Sequence, residues 1–213
     1  IAPKLETGTR SVTGETLAER LARPLPDPID RAVVREASSP ISPVGGLIAL
    51  RGSLAPDGAI LKRAAATVAL LEHEGRAVVF TSLEDLATRI DDPDLDVTAE
   101  DILVLQNAGP KSPSGMPEAG YLPIPKKLAQ AGVKDMVRIS DARMSGTAFG
   151  TIVLHVSPEA AVGGPLALVR NGDRIRLSAS CKSIDLLVDA ASLSQRSKEL
   201  TGSSYRPLRG YSK

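Results

Sequence analysis

The apolar residues of this chain come in short bursts. The longest runs, such as Ile102-Leu-Val-Leu105 and Ile152-Val-Leu154, fall far below the ~20 residues that a membrane span requires, and turn-forming Gly, Pro, Asn and Asp separate them. β-branched composition marks residues 76–80, and strand readings also fall on 47–50, 102–106, 136–140, 151–156, 166–169, 174–178 and 184–188, with a short extended piece at 59–62. Asn171-Gly172 reads as a hairpin turn. Helical patterns are few. Residues 11–23 have Thr16 and Glu19 at capping-box spacing, with Leu17 and Leu21 one turn apart. Ser82 starts a second helix with Leu83, Leu86, Ala87 and Ile90 on one face, residues 126–130 form a short one closed by Gly132, and 189–200 form a capped terminal one. Lys126 and Lys127 read as a solvated helix face. Many short strands with few helices predict a β-rich α+β fold, a β-barrel flanked by a few helices.

Pro24, Pro26 and Pro28 stop the first helix, so residues 23–43 read as an extended connection. The expected organisation is a connecting segment over 1–43, a β-barrel domain over 44–200 and a polar tail over 201–213. Ile1 is not an initiator Met and no signal-peptide pattern follows it, so the chain reads as one cut from something longer, and its expected location is cytoplasmic. Lys and Arg number 26 against 25 Asp and Glu, a net charge of +1 that offers no electrostatic footprint for nucleic acid. Phe80, Phe149, Tyr121, Tyr205 and Tyr211 are too few for a base-stacking platform. Cys181 is the single cysteine; it cannot form an internal disulfide, and alone it cannot hold a zinc or iron–sulfur site, which takes about four ligands. It reads as a plain small residue in a strand-like stretch.

Two irregular segments could carry chemistry, and each leaves the end of a strand. Within residues 107–125, Gly109-Pro-Lys-Ser-Pro-Ser-Gly-Met-Pro-Glu118 combines glycines that allow close approach of a ligand, prolines that stiffen the loop, and a hard oxygen donor at Glu118 suited to Mg²⁺. The bland alternative is a surface turn with a solvated glutamate. In Ser140-Asp-Ala-Arg-Met-Ser-Gly-Thr-Ala-Phe-Gly150, Ser145 and Thr147 flank Gly146, so two hydroxyls can converge on one ligand. A serine acts as base or nucleophile only when a metal or a nearby positive charge lowers its pKa. The alternative is a Ser/Gly-rich turn. His73 and His155 are the only histidines and read as structural, and the Gly-x-Ser-x-Gly elbow of α/β-hydrolases is absent.

These residues also carry a resemblance. Arg51-Gly-Ser-Leu-Ala-Pro-Asp-Gly-Ala59, Gly109-Pro-Lys111 with Gly115-Met-Pro-Glu118, Ser140-Asp-Ala-Arg-Met-Ser-Gly146 and His155-Val-Ser-Pro-Glu-Ala-Ala-Val-Gly-Gly-Pro-Leu-Ala-Leu-Val169 resemble, in order, the C-terminal part of the dihydroxy-acid and sugar-acid dehydratase family. Ala142 and Met144 bring the third motif nearer to the aldonate branch, the arabinonate-type dehydratases, than to the branched-chain biosynthetic enzyme. Ser112-Pro-Ser114 and Ser53 depart from the family pattern, which usually has more glycine at the first and Asn at the second.

The resemblance implies a swivelling-type β-barrel domain of a hydro-lyase that turns a 2,3-dihydroxy sugar acid into a 2-keto-3-deoxy acid. It implies Glu118 as a Mg²⁺ ligand, Ser145 as the base that takes the C2 proton, and Thr147 as a second catalytic hydroxyl. Mg²⁺ and an iron–sulfur cluster belong to the full-length enzyme, most of their ligands lying in an N-terminal domain that is this chain's expected partner. Beyond weak Mg²⁺ binding the chain alone would hold neither cofactor, and it would be inactive alone. A homo-oligomer is expected, with no nucleic-acid or membrane partner. Two alternatives remain open: a branched-chain dihydroxy-acid dehydratase domain, or a non-catalytic stand-alone binding module.

Overall fold

A computed structural model describes residues 2–24, 30–118, 122–146 and 148–200. Pro26, Pro28, Thr147 and the tail expected at 201–213 lie outside the described residues. The chain divides into two compact units, residues 1–44 and 45–213. In the first, helix α1 (Leu17–Leu21) has the expected capping box: the Glu19 amide donates to Thr16 Oγ1 at 3.2 Å and the Thr16 amide to Glu19 Oε2 at 2.6 Å. The helix is shorter than its sequence pattern, because Gly14 adopts φ +83° and residues 11–15 fold into a turn in which the Ser11 amide donates to the Glu15 carbonyl.

The second unit contains eight strands in one sheet: β1 (Ile48–Leu50), β2 (Gly58–Leu61), β3 (Glu72–Phe80), β4 (Ile102–Leu105), β5 (Arg138–Ser140), β6 (Ile152–Ser157), β7 (Arg174–Ser178) and β8 (Ser183–Leu186). Their order is β1-β2-β6-β5-β4-β3-β7-β8. β3 to β6 run parallel, and antiparallel pairs flank them on both sides. The sheet curls until its outer strands meet: the Arg51 amide donates to the Lys182 carbonyl and the Ile184 amide to the Arg51 carbonyl, each at 3.0 Å. Gly52 is required at this seam, since a Cβ there would lie 2.1 Å from the Ile184 carbonyl oxygen. Ser53 finishes the seam, its Oγ accepting the Leu186 amide at 2.9 Å. The architecture is the β-rich α+β barrel that the short apolar runs imply.

Strand alternation creates two cores. Ala77, Val79, Ile102, Val104, Ile139 and Val153 point into the barrel, while Val78, Phe80, Leu103, Leu105, Ile152 and Leu154 point outward and are also buried. Leu86 and Ile90 of helix α2 (Leu83–Arg89) and its C-terminal edge, together with Leu128 of helix α3 (Lys126–Gln130), cover that outer face. Both faces of the parallel strands are therefore apolar, as expected for strands with a covered outer surface. Ala87, expected on the buried face of α2, is exposed instead. Helix α4 (Ala190–Glu199) is capped by Asp189, whose side chain accepts the Ser192 amide at 2.8 Å.

Five local expectations need correction. Residues 166–169 do not form a strand: Pro165–Leu168 is a 3₁₀ helix, and the carbonyls of Leu166 and Val169 accept from the Gln106 side-chain amide rather than from a neighbouring strand. Asn171-Gly172 is consequently a turn but not a hairpin; its Asn171 Oδ1 accepts the Val79 amide. β3 starts at Glu72 rather than 76, because its polar first half pairs with β7 while its apolar second half pairs with β4. Cys181 lies exposed in the turn between β7 and β8, and Lys127 is not merely solvated, since its ammonium donates to the carbonyls of Pro93 and Leu95. No helix among the described residues is long and apolar enough to cross a membrane.

Beneath the sheet edge, Arg138 is 5% exposed and donates to the carbonyls of Leu122 and Phe149 and to Asp135. Asp135 in turn accepts the Thr151 amide and hydroxyl. Replacing Arg138 with Leu leaves the Asp135 carboxylate buried without its cation; the expected loss is about 3–5 kcal/mol of unfolding free energy, read by urea titration.

Candidate active site

Because β3, β4, β5 and β6 are parallel, their C-terminal ends share one edge of the sheet, the edge where open α/β sheets bind ligands. Three irregular segments leave it: 106–118 after β4, 141–150 after β5 and 158–164 after β6. A loop that must hold a geometry needs its backbone groups satisfied, and here buried carboxylates do this. Asp141, 1% exposed, accepts the Ala108 amide on one oxygen and the Ala160 amide on the other, both at 2.9 Å. Burial pushes its carboxyl above the ordinary range, against the opposing pull of those amides. Glu159 accepts the Lys111 amide on both oxygens, and burial raises its carboxyl too, with the Asp141 charge adding to the effect. Gly109 makes room for it, since a Cβ there would lie 1.9 Å from Glu159 Oε2.

The first segment is further stiffened from within. Ser112 Oγ donates to the Gly109 carbonyl at 2.7 Å and Ser114 Oγ to the Asn107 carbonyl at 3.1 Å, with 2.7 Å between the two hydroxyls. These serines give the segment its own internal hydrogen bonds. The segment ends at Glu118, half-buried, which forms an isolated parallel bridge with Arg143; the Arg143 amide donates to the Pro117 carbonyl at 3.3 Å. Glu118 is thus joined to the segment bearing Ser145, two residues before that serine. Thr147, the third expected site residue, lies outside the described residues.

Ser145 lines a cleft of about 630 Å³ with Ile60, Lys62, Met144, Gly146 and His155. Two side chains that sequence reading did not assign to the site hold its neighbours. The Met144 amide donates to His155 Nε2 at 3.0 Å, and the Lys62 ammonium donates to the carbonyls of Gly146, at 2.5 Å, and Ala148, at 3.1 Å. His155 reaches Met144 because β6 carries a bulge: Gly58 pairs with Ser157 but Ile60 with Leu154, and His155 has φ +55°. The extra residue re-aims the ring, a common use of bulges beside functional sites. An N–H donor facing Nε2 requires that nitrogen to be unprotonated, so the neutral ring carries its proton on Nδ1. Burial lowers the His155 pKa, and the nearby Arg143 charge lowers it further. A strand-phase break at a histidine was the one available sequence signal; Lys62 offered none.

Among the described residues no group of three or more His, Cys, Asp or Glu side chains is arranged to hold a metal ion. Glu118 alone offers a single hard oxygen, and the exposed Cys181 is on the β7–β8 turn. A separate cleft of about 510 Å³ near Thr81, Gln106 and Ala161 contains one carboxylate, Glu84, and no acid–base pair.

Comparison with known proteins decides the family. The model for the dihydroxy-acid/6-phosphogluconate dehydratase C-terminal domain matches residues 32–213. The chain belongs to this family. It is 48% identical to the L-arabinonate dehydratase of Rhizobium leguminosarum bv. trifolii over 179 residues, 84% of this chain and 31% of that protein. Identity to the L-arabonate dehydratase of Azospirillum brasilense is 50% over 186 residues, 87% of this chain and 32% of the relative. The dihydroxy-acid dehydratase of Methanothrix thermoacetophila is 40% identical over 199 residues, covering 92% of this chain and 36% of the relative. This dehydratase-family chain thus spans about a third of the length of the curated relatives it matches.

Two outcomes test the scaffold. Asp141→Asn leaves only one acceptor for two buried amides, and is expected to cost about 1–3 kcal/mol in chemical denaturation. For His155 the folded-state pKa is the lower one, so as pH falls below about 6.5 the unfolded chain takes the proton first and stability drops. The raised Asp141 and Glu159 carboxyls act with the opposite sign, and they are common to wild type and His155→Gln. The thermal midpoint of wild type is therefore expected to fall more between about pH 7 and about pH 5.5 than that of the variant.

Proposed function

We propose that this chain is the C-terminal domain of a hydro-lyase that dehydrates a 2,3-dihydroxy sugar acid of the aldonate class to a 2-keto-3-deoxy acid. The observation that carries the reading is the Glu118–Arg143 bridge, which joins the two chemistry-bearing segments beside the cleft lined by Ser145. The aldonate class is supported by the names of the two arabinonate-type relatives and by their higher identity than the Methanothrix dihydroxy-acid dehydratase. Loss of water breaks the C2–H and C3–O bonds, and the enol that forms tautomerises to the 2-keto acid. In this reading Ser145 Oγ takes the C2 proton, and Thr147 offers a second hydroxyl in the same segment. At Gly146 no atom beyond its chain neighbours lies within 4 Å of where a Cβ would be.

The family resemblance brings Mg²⁺ and an iron–sulfur cluster with it. Glu118 fits as one hard-oxygen ligand of Mg²⁺. A lone exposed Cys181 does not fit a cluster, so the cluster and the remaining Mg²⁺ ligands are assigned to a preceding domain, in a cytoplasmic, self-associating enzyme. When bound, the metals supply the Lewis acidity that a weakly acidic C2–H and a departing hydroxide need. The chain's own contribution is to hold Ser145 and Glu118 in fixed relation and to exclude alternative loop conformations.

With Mg²⁺ and a panel of aldonates, the isolated chain is expected to form no 2-keto-3-deoxy product, while the full-length enzyme forms it; robust turnover by the chain alone contradicts the reading. In the full-length enzyme Ser145→Ala is expected to lower kcat by at least about 1000-fold with metal and cluster content intact. Substrate profiling of that enzyme against a branched-chain dihydroxy acid decides between the two branches.

A further inference from the structure

Both chain neighbours of Ser145 are held by side chains from β6 and from the residue that follows β2. Met144 is held through its amide by His155 at the β6 bulge, and Gly146 through its carbonyl by Lys62, which follows directly on β2. Along β2, Ala59 and Leu61 point into the barrel core, while Ile60 and Lys62 line the same cleft as Ser145. Strand alternation therefore delivers the ammonium to the site. Its two acceptors, the Gly146 and Ala148 carbonyls, bracket position 147, so one charged group spans the turn that follows Ser145. Lysine has three N–H donors and no acceptor, so it suits a site of two converging carbonyls and brings a positive charge to the cleft.

We propose that Lys62 is a positioning residue for Ser145: it clamps the turn after the serine and sets the direction of Oγ. The claim rests on the reading of Ser145 as the base. It is not a claim about fold stability, because the carbonyls that Lys62 engages belong to an irregular segment outside the sheet ladder. It is also not a claim of substrate contact, so loss of the clamp acts on the chemical step rather than on binding.

The test uses the full-length enzyme with Lys62→Met, which keeps the length of the side chain and removes the donors, and Lys62→Arg, which keeps donors and charge. Lys62→Leu, which also lacks a donor, replaces the Met variant if that protein cannot be purified. Hydrogen exchange of the peptide covering residues 141–150 is expected to quicken by about tenfold or more in Lys62→Met, with β4, β5 and β6 unchanged. In the same variant kcat is expected to fall by about 100-fold with KM within about threefold, and Lys62→Arg to recover much of both effects. Unchanged exchange at 141–150 overturns the proposal, as does loosening that extends through the strands, or a rise in KM with kcat preserved. Should Ser145→Ala retain turnover, the base assignment falls, and with it the functional meaning of the clamp, while the exchange measurement still decides whether Lys62 holds the turn.

Discussion

The Asp141 carboxylate stands between two backbone amides that belong to different loops, and the geometry of the whole edge follows from that pairing. A buried carboxylate without a cation is costly to desolvate, and only convergent donors make it tolerable. The amides of Ala108 and Ala160 supply them, tying the segment after β4 and the segment after β6 to the end of β5. Glu159 repeats the device one layer out by gripping the Lys111 amide, and Gly109 is small because the carboxylate passes where its side chain would be. Segments that leave three different strands are thereby tied to one another through buried carboxylates. The backbone bridge between Glu118 and Arg143 then joins the first of these segments to the second.

Much of this domain is legible in its residues because local rules decide it. Short apolar and β-branched runs marked seven of the eight strands closely, and Thr16, Ser82 and Asp189 announced their helices as side chains able to cap an amide. The four motifs pointed to the right family, and the loops they occupy do gather at one edge. Legibility fails where a partner lies far along the chain. Residues 166–169 look like a strand, yet Gln106 satisfies their carbonyls and no ladder is needed. Asp141 sits inside a recognised motif, but its acceptor role depends on amides at 108 and 160. Lys62 and the His155 bulge meet the Ser145 segment only because β2 and β6 are neighbours with one residue out of step.

The serines at the two positions expected to depart from the family pattern have a physical role in the same terms. Ser112 and Ser114 give the 106–118 segment internal hydrogen bonds, trading conformational range for definition. Ser53 offers one hydroxyl that both accepts the Leu186 amide and donates to the Leu186 carbonyl, which is enough to complete the seam between the outer strands.

The seam has a consequence in time as well as in space. Arg51 closes the barrel against Lys182 and Ile184, residues made more than a hundred positions later, so the most non-local contact of the sheet is also its last to become available. Contacts of such sequence separation slow folding, because the chain must be ordered over a long loop before the contact repays it. During synthesis the segments bearing Glu118 and Ser145 emerge while the barrel is still an open sheet with two unpaired borders. The open borders of such a sheet are exposed to mispairing until β8 arrives, and a ribosome pausing before Ile184 would hold it in that vulnerable state.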